Sequence, residues 1–70
     1  MYKWKIEFIL KSGKELTAYY EGAENSSHAV ANKILTGNKN TINGFGNEDN
    51  TKNIFVKISE IASASISVAV

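Results

Sequence analysis

The segment that decides the fold is "YKWKIEFILKSGKELTAYYEG", residues 2–22. In its first part, large apolar residues alternate with lysine and glutamate, which is the period of a strand with one buried face. The tetrapeptide "KSGK" at 11–14 then places a glycine where a tight turn needs a positive φ. A second alternating run follows at 15–21. The segment therefore predicts an antiparallel β-hairpin.

The next segment, "ENSSHAVANKILTG" at 24–37, carries the signals of a short helix. Asn25 or Ser26 can cap the first backbone amides. Apolar residues then recur at a spacing of three to four, and Gly37 stands where a helix commonly ends in a left-handed residue. A helix of about three turns is marginal on its own in water, so we expect it to pack on the sheet.

The second half of the chain predicts three more strands. Asparagine and glycine dominate its first part, which favours a short irregular strand near 40–46 and a polar loop at 47–52. "NIFVKI" at 53–58 alternates again, and "SEIA" after it predicts a turn or a single 3₁₀ step. The last strand, 62–70, alternates apolar residues with serine, and we expect its apolar face to be covered.

These elements predict a single α+β domain over residues 1–70, in the order β-β-α-β-β-β. About five short antiparallel strands with one inserted helix fit a small bent sheet or a partly open barrel of SH3-like or Sm-like type. An open sheet with the helix across one face is the alternative. The expected core consists of Trp4, Ile6, Phe8, Leu16, Val30, Ile34, Ile54, Val56, Ile58 and Ile66.

The composition bounds the function. The chain has 43% hydrophobic residues, a formal net charge of +1, no cysteine and one histidine. The missing cysteines exclude disulfides and thiolate metal sites, and one histidine cannot build a multi-histidine site. All the basic residues are lysine, so the residue best suited to bidentate phosphate contacts is absent. We expect no metal and no cofactor.

The sequence also contains few candidate catalytic residues. His28 is the only histidine, the residue type used most often in acid–base catalysis, and its place at the start of the helix is typical of a surface residue. The acidic residues show no motif spacing, and "GNEDNTKN" lacks the central glycine and the final glutamate of a calcium loop. The sequence therefore predicts a protein that is not an enzyme.

The hydropathy pattern predicts a cytoplasmic protein. No apolar run approaches the ~20 residues that a membrane helix needs. The N-terminal "MYKWKIEFIL" alternates like a strand and has no small-residue cleavage site, which argues against a signal peptide.

Aromatic and basic residues interleave in the hairpin, and this is the one constellation that suggests a binding surface. The candidate surface combines residues of the hairpin with residues of the asparagine-rich segment: Lys3, Lys5, Tyr19, Asn43, Phe45 and Asn47. On a barrel such residues can stack bases and contact phosphates. The lysines are balanced by glutamates, however, and nucleic acid is not the favoured partner.

The pairing of "KWKIEFILKSGKELTAYYEG" with "NIFVKISEIASASI" resembles small uncharacterised proteins encoded by phages and prophages of low-GC Gram-positive bacteria. The second phrase also resembles the closing strands of small SH3-like or Sm-like barrels. Sm proteins bind RNA through particular loop residues that have no match here, so no RNA site is carried over. The resemblance implies an accessory protein that binds a host or phage macromolecule in the host cytoplasm.

The expected function is therefore that of a non-enzymatic interaction protein with a host or phage protein as its partner. The first alternative is a small barrel that binds single-stranded nucleic acid. The second is an oligomer that binds a small molecule or nucleotide between subunits.

The C-terminal strand predicts self-association. From Ala62 to Val70 there is neither charge nor proline, and such an edge invites another strand to pair with it. The candidate oligomer edge carries Ser63, Ser65 and Ser67. Within one subunit we expect this strand to pair with the strand at 54–58. The alternative is that the first strand closes onto the last and leaves a monomer.

Overall fold

The computed structural model describes residues 1–35, 42–49 and 51–69. Its elements are β1 (Tyr2–Leu10), β2 (Glu15–Gly22), α1 (Ser27–Leu35), β3 (Ile42–Gly46), β4 (Asn53–Lys57), a 3₁₀ turn (Ile58–Glu60) and β5 (Ile61–Val68). The protein is a small α+β domain, and the predicted order of strands and helix is confirmed. The 3₁₀ step predicted from "SEIA" is also present.

The five strands form one open antiparallel sheet in the order β4-β3-β2-β1-β5. The predicted pairing of the last strand with the strand at 54–58 is wrong. β5 pairs instead with β1, the strand pairing of the stated alternative, with Trp4 opposite Val68 and Ile6 opposite Ile66. Alternation indicates which face of a strand is buried, but it does not indicate which strand lies alongside.

The sheet must curl, because its two edge strands are joined by a single 3₁₀ turn. In a flat sheet, four strand spacings would separate β4 from β5 by about 19 Å. The 3₁₀ step from the end of β4 to the start of β5 spans only about 8 Å. The Lys11 amide also donates to the carbonyl of Glu60, which ties this turn to the β1–β2 connection. The sheet therefore bends back on itself at this corner.

The β1–β2 turn follows the sequence prediction. Gly13 has a φ of +89°, a conformation that residues with a side chain rarely adopt. Its amide donates to the Leu10 carbonyl at 2.8 Å, and the Leu10 amide donates to the Lys14 carbonyl at 2.8 Å. The turn thereby fixes the register of the longest strand pair in the sheet.

Ser26 caps α1, as one of the two residues predicted for this role. Its Oγ accepts a hydrogen bond from the Ala29 amide at 3.2 Å, and its carbonyl accepts one from the Val30 amide. The predicted helix end at Gly37 and the first part of the strand predicted near 40–46 lie outside the described residues.

The core lies between one face of the sheet and α1. Its buried side chains are Trp4, Ile6, Phe8, Ala18, Val30, Ile34, Phe45 and Val56. The other predicted core residues pack partly buried against this cluster: Leu16, Ile54, Ile58 and Ile66. Ala18 and Phe45 were not predicted to be in the core.

The apolar face of β5 is covered less than the sequence predicts. Ile66 is half-buried, whereas Ala64 is exposed and Val68 is 62% exposed. Val70 lies outside the described residues. The reason is the position of β5 at the edge of the sheet, where neighbouring side chains pack against it from one side only.

We expect Trp4→Ala to lower the free energy of unfolding by about 3–5 kcal/mol, because it deletes a large side chain that is 5% exposed. Trp4→Phe keeps most of the ring but loses the hydrogen bond from Nε1 to the Glu24 carbonyl, which is 3.1 Å long. That loss is expected to cost about 1 kcal/mol. Chemical denaturation measures both values, with Met1→Ala as an exposed control. An unchanged midpoint for Trp4→Ala would contradict the described core.

Candidate binding groove on the outer sheet face

The outer face is the face of the sheet opposite the core. In β1 and β2 it carries the residues between the buried ones, with Lys3 opposite Glu21 and Lys5 opposite Tyr19. Tyr19 also pairs with Gly46 of β3, so it stands near the middle of this face. The hairpin alternation thus places a half-buried aromatic ring among charged neighbours.

Within the described residues, Tyr19 and Gly46 are the only pair that joins β2 to β3. Beyond this pair the two strands diverge: β2 stays with β1 as far as Gly22, and β3 stays with β4. An open groove lies between them. We call it the β2–β3 groove, and it is lined by Tyr19, Tyr20, Glu21, Gly44, Phe45, Gly46, Asn53 and Phe55.

On the core side, Phe45 holds the diverging strands together. Its ring centroid lies 5.7 Å from that of Phe8 and 6.5 Å from that of Tyr20, the second pair edge to face. Such aromatic pairs contribute roughly 0.5–1.5 kcal/mol beyond the area that they bury. The strands are therefore joined by side chains on the core side and remain open on the outer side.

Glycine shapes the outer side of the groove. Gly44 pairs with Phe55, and a Cβ built on Gly44 would lie only 2.9 Å from Cε1 of that ring. The missing side chain lets the Phe55 ring lie over the β3 backbone. Phe55 is nevertheless 67% exposed. The result is a solvent-facing aromatic ring beside bare backbone.

Three residues of the predicted binding surface meet at one end of the groove: Lys3, Tyr19 and Asn47 line a smaller depression together with Tyr20 and Glu21. The Lys3 ammonium lies 5.6 Å from the centroid of the Tyr19 ring and donates a hydrogen bond to the Glu48 carbonyl. Lys3 therefore links β1 to the β3–β4 loop across the tyrosine.

The Asn47 side chain stabilises the β3–β4 loop. Its Oδ1 accepts hydrogen bonds from the amides of Thr51 and Lys52, at 2.8 and 3.0 Å. Hydrogen bonds from the hydroxyl and the amide of Thr51 lower the pKa of the Asp49 carboxyl. These contacts define a turn, and Asn47 serves the groove by placing the loop beside Lys3.

The other predicted surface residues are placed differently. Lys5 is the cross-strand partner of Tyr19 on the outer face but lines neither depression. Phe45 lines the groove from the core side, because its side chain is 8% exposed and belongs to the core, contrary to its predicted place on the surface. Asn43 is in β3 opposite Val56, and its side chain lies outside what the structure describes.

Sequence reasoning missed Phe55 and Gly44 as groove residues. A signal for Phe55 was present, because the alternation that buries Ile54 and Val56 places the residue between them on the opposite face. Gly44 carried no such signal. Its role depends on the ring that lies across it in the neighbouring strand.

The predicted oligomer edge is a separate surface. Ser63, Ser65 and Ser67 are exposed on the outer face of β5, opposite Ile9, Glu7 and Lys5 of β1.

A polar cluster links β2 and the segment before α1 to the last turn of α1. The Tyr20 hydroxyl donates to Oε1 of Glu24 at 2.9 Å, and the Lys33 ammonium lies 3.6 Å from Oε2. The pKa of Glu24 is lowered by a hydrogen bond from its own backbone amide, then by those from Tyr20 and by the charge of Lys33. The pKa of Lys33 is raised, first by its hydrogen bond with Tyr20 and then by nearby negative charge.

Among the described residues, no three His, Cys, Asp or Glu side chains are grouped so that they could hold a metal ion. Their one helix is too short and too polar to cross a membrane. Comparison with known proteins found no family model, no curated protein and no solved structure that matches the chain.

We expect the Glu24 cluster to make stability depend on pH in the acid range. A lowered pKa in the folded state gives stability that is present above the unfolded-state value of about 4.5 and is lost as the pH falls through the folded-state value. Glu24→Gln should therefore lower the urea midpoint at pH 7, and its difference from the unaltered protein should shrink on acidification. Glu15→Gln, at an exposed position, is the control. Parallel pH profiles for the protein and Glu24→Gln would contradict this role.

Proposed function

We propose that this protein is a non-enzymatic interaction module that binds an extended peptide segment of a protein partner in the β2–β3 groove. The observation that carries the proposal is the single pair joining β2 to β3 beside an exposed aromatic ring. Diverging strands leave peptide groups on both walls, and proteins commonly bind extended peptides by adding them to open strand edges.

The side chains of the groove support a peptide ligand. The Phe55 ring lies over β3 at Gly44, and Gly46 carries no side chain on the same strand, so a second backbone can approach β3 closely beside the ring. Tyr19 and Phe55 stand on opposite sides of these glycines and offer apolar contacts to alternate side chains of a bound strand. Aromatic residues supply much of the energy at protein interfaces.

The charges favour a peptide over a polyphosphate. Lys3 lies opposite Glu21 in the strand register, and Glu7 follows Lys5 along the same face of β1. A surface that binds nucleic acid gains its affinity from cations that neutralise phosphates, and acidic residues on the same face weaken that attraction. A neutral or mixed-charge segment suits this face better.

Absence of catalysis is part of the proposal. His28 is exposed at the start of α1, and the helix contributes no residue to the groove wall. Among the described residues that line the groove, Glu21 is the one acid and none is a histidine, so these residues offer binding groups.

The resemblance to phage and prophage proteins supports a role as an accessory protein acting in the host cytoplasm. The strand order, and the 3₁₀ turn between the last two strands, support a partly open small barrel of SH3-like type. In this proposal the curl of the sheet is what opens the groove.

One observation favours a second function, the binding of single-stranded nucleic acid. The Lys3 ammonium lies over the Tyr19 ring, and Lys5 is the cross-strand partner of the same tyrosine. A base stacked on Tyr19 would have two cations within reach of its phosphate.

Selection from a displayed library of random linear peptides tests the proposal. We expect enriched peptides to shift the backbone amide signals of Gly44 and Gly46 in NMR spectra. Phe55→Ala should weaken binding of the same peptides by about tenfold or more, since it removes an exposed aromatic contact of the kind that costs over 1 kcal/mol at interfaces. Phe55 is exposed, so its loss should leave the fold intact.

Ile9→Ala is the matched control, because Ile9 is also an exposed apolar residue on the outer face but does not line the groove. Equal weakening by both changes, or amide shifts confined to other strands, would overturn the proposal. Failure to enrich any peptide, together with oligonucleotide binding that falls steeply with salt, would establish the second function instead.

A further inference from the structure

We propose that the outer edge of β5 binds β5 of a second copy of this chain, antiparallel and across a two-fold axis. The interface is separate from the β2–β3 groove, since the strand order places β5 and the groove on opposite sides of β1.

The free backbone groups of this edge are identified by one hydrogen bond. The Ala69 amide donates to the Lys3 carbonyl at 3.0 Å. In an antiparallel pair, alternate residues direct their amides and carbonyls at the neighbouring strand. Odd-numbered residues therefore face β1 along the unbroken register from 63 to 68, and Ala64, Ile66 and Val68 direct their backbone groups outward. In the described sheet β5 is an edge strand, so no further strand receives them.

The sequence of β5 suits pairing with an uncharged strand. From Ile61 to Ala69 the chain has no charged residue and no proline, the usual devices that keep an edge strand unpaired. The opposite edge differs, because β4 ends with an exposed lysine, Lys57. Self-association is thus discouraged at one edge of the sheet and left open at the other.

A second copy matches β5 in side chains as well as in charge. A two-fold axis perpendicular to the sheet at Ile66 pairs Ile66 with itself and Ala64 with Val68, so that apolar residues meet on the core face. Ser65 then meets Ser67 on the outer face. Val68, which is 62% exposed in the monomer, gains an apolar neighbour. A strand with alternating charged residues would instead place a charge beside Val68.

The dimer extends two rows of apolar cross-strand neighbours that run from β1 to β5. Ile66 is the cross-strand neighbour of Ile6, and Val68 is the neighbour of Trp4. Each row would continue across the axis into the other copy. A chain of this size buries little apolar surface by itself, so the added area stabilises the fold as well as the dimer.

Light scattering after size exclusion, at tens of micromolar, tests this pairing. We expect a dimer mass for the unaltered protein and a monomer mass for Ser65→Lys. Thr17→Lys is the matched control: Thr17 and Ser65 are both exposed cross-strand neighbours of Glu7, but Thr17 lies on an interior strand. It should remain a dimer.

Ala64→Pro gives a second test. The Ala64 amide points away from β1, so proline at this position removes a hydrogen bond of the dimer while the β1–β5 hydrogen bonds persist. We expect a monomer with unchanged circular dichroism. Amide exchange on the unaltered protein adds a measurement without mutation, since Ala64, Ile66 and Val68 should gain protection as concentration rises.

A monomer mass for the unaltered protein, or a dimer that neither Ser65→Lys nor Ala64→Pro dissociates, would overturn the proposal. So would protection of those three amides that does not change with concentration. Peptide binding in the groove is a separate measurement, and its failure would leave the dimer standing.

Discussion

Trp4, Ile6 and Phe8 project from one face of β1 into the core, and β1 is hydrogen-bonded on both sides, to β2 and to β5. Among the described strands, no other has both a long partner on each side and so much of one face buried. The helix, the curl of the sheet and the positions of both edges follow from this arrangement. Because α1 must cover these side chains, it packs on the core face and leaves the outer face open.

The β2–β3 groove is related to this arrangement of β1. β2 follows β1 along its whole length, while β3 follows β4, and within the described residues a single pair joins β2 to β3. Phe45 compensates on the core side by packing against Phe8 and Tyr20. On the outer side glycine leaves the separation unfilled. Stability and binding capacity are thus supplied by opposite faces of the same strands.

Much of this fold could be predicted from the sequence, because its signals are local. The alternation in β1, the glycine of the first turn and the cap at Ser26 each act over a few residues, and all three are confirmed. The sequence left two partners open for β5, the strand at 54–58 and the first strand, and local signals could not choose between them, since pairing depends on how the whole sheet curls. The burial of Phe45 could not be predicted either, because Phe45 lies in an asparagine-rich segment that favours turns. Tyr19 could be predicted as a surface residue, but the groove beside it is a property of two strands together.

The position of β1 also has a kinetic consequence. Its pairing with β2 is local and needs only a tight turn, and hairpins of this kind form in microseconds. Its pairing with β5 joins opposite ends of the described chain and must wait for the closure of a long loop. Domains dominated by such distant contacts fold more slowly than those built from local ones. The arrival of β5 is therefore expected to set the folding rate, and until it docks, β1 presents an unpaired edge to any neighbouring chain.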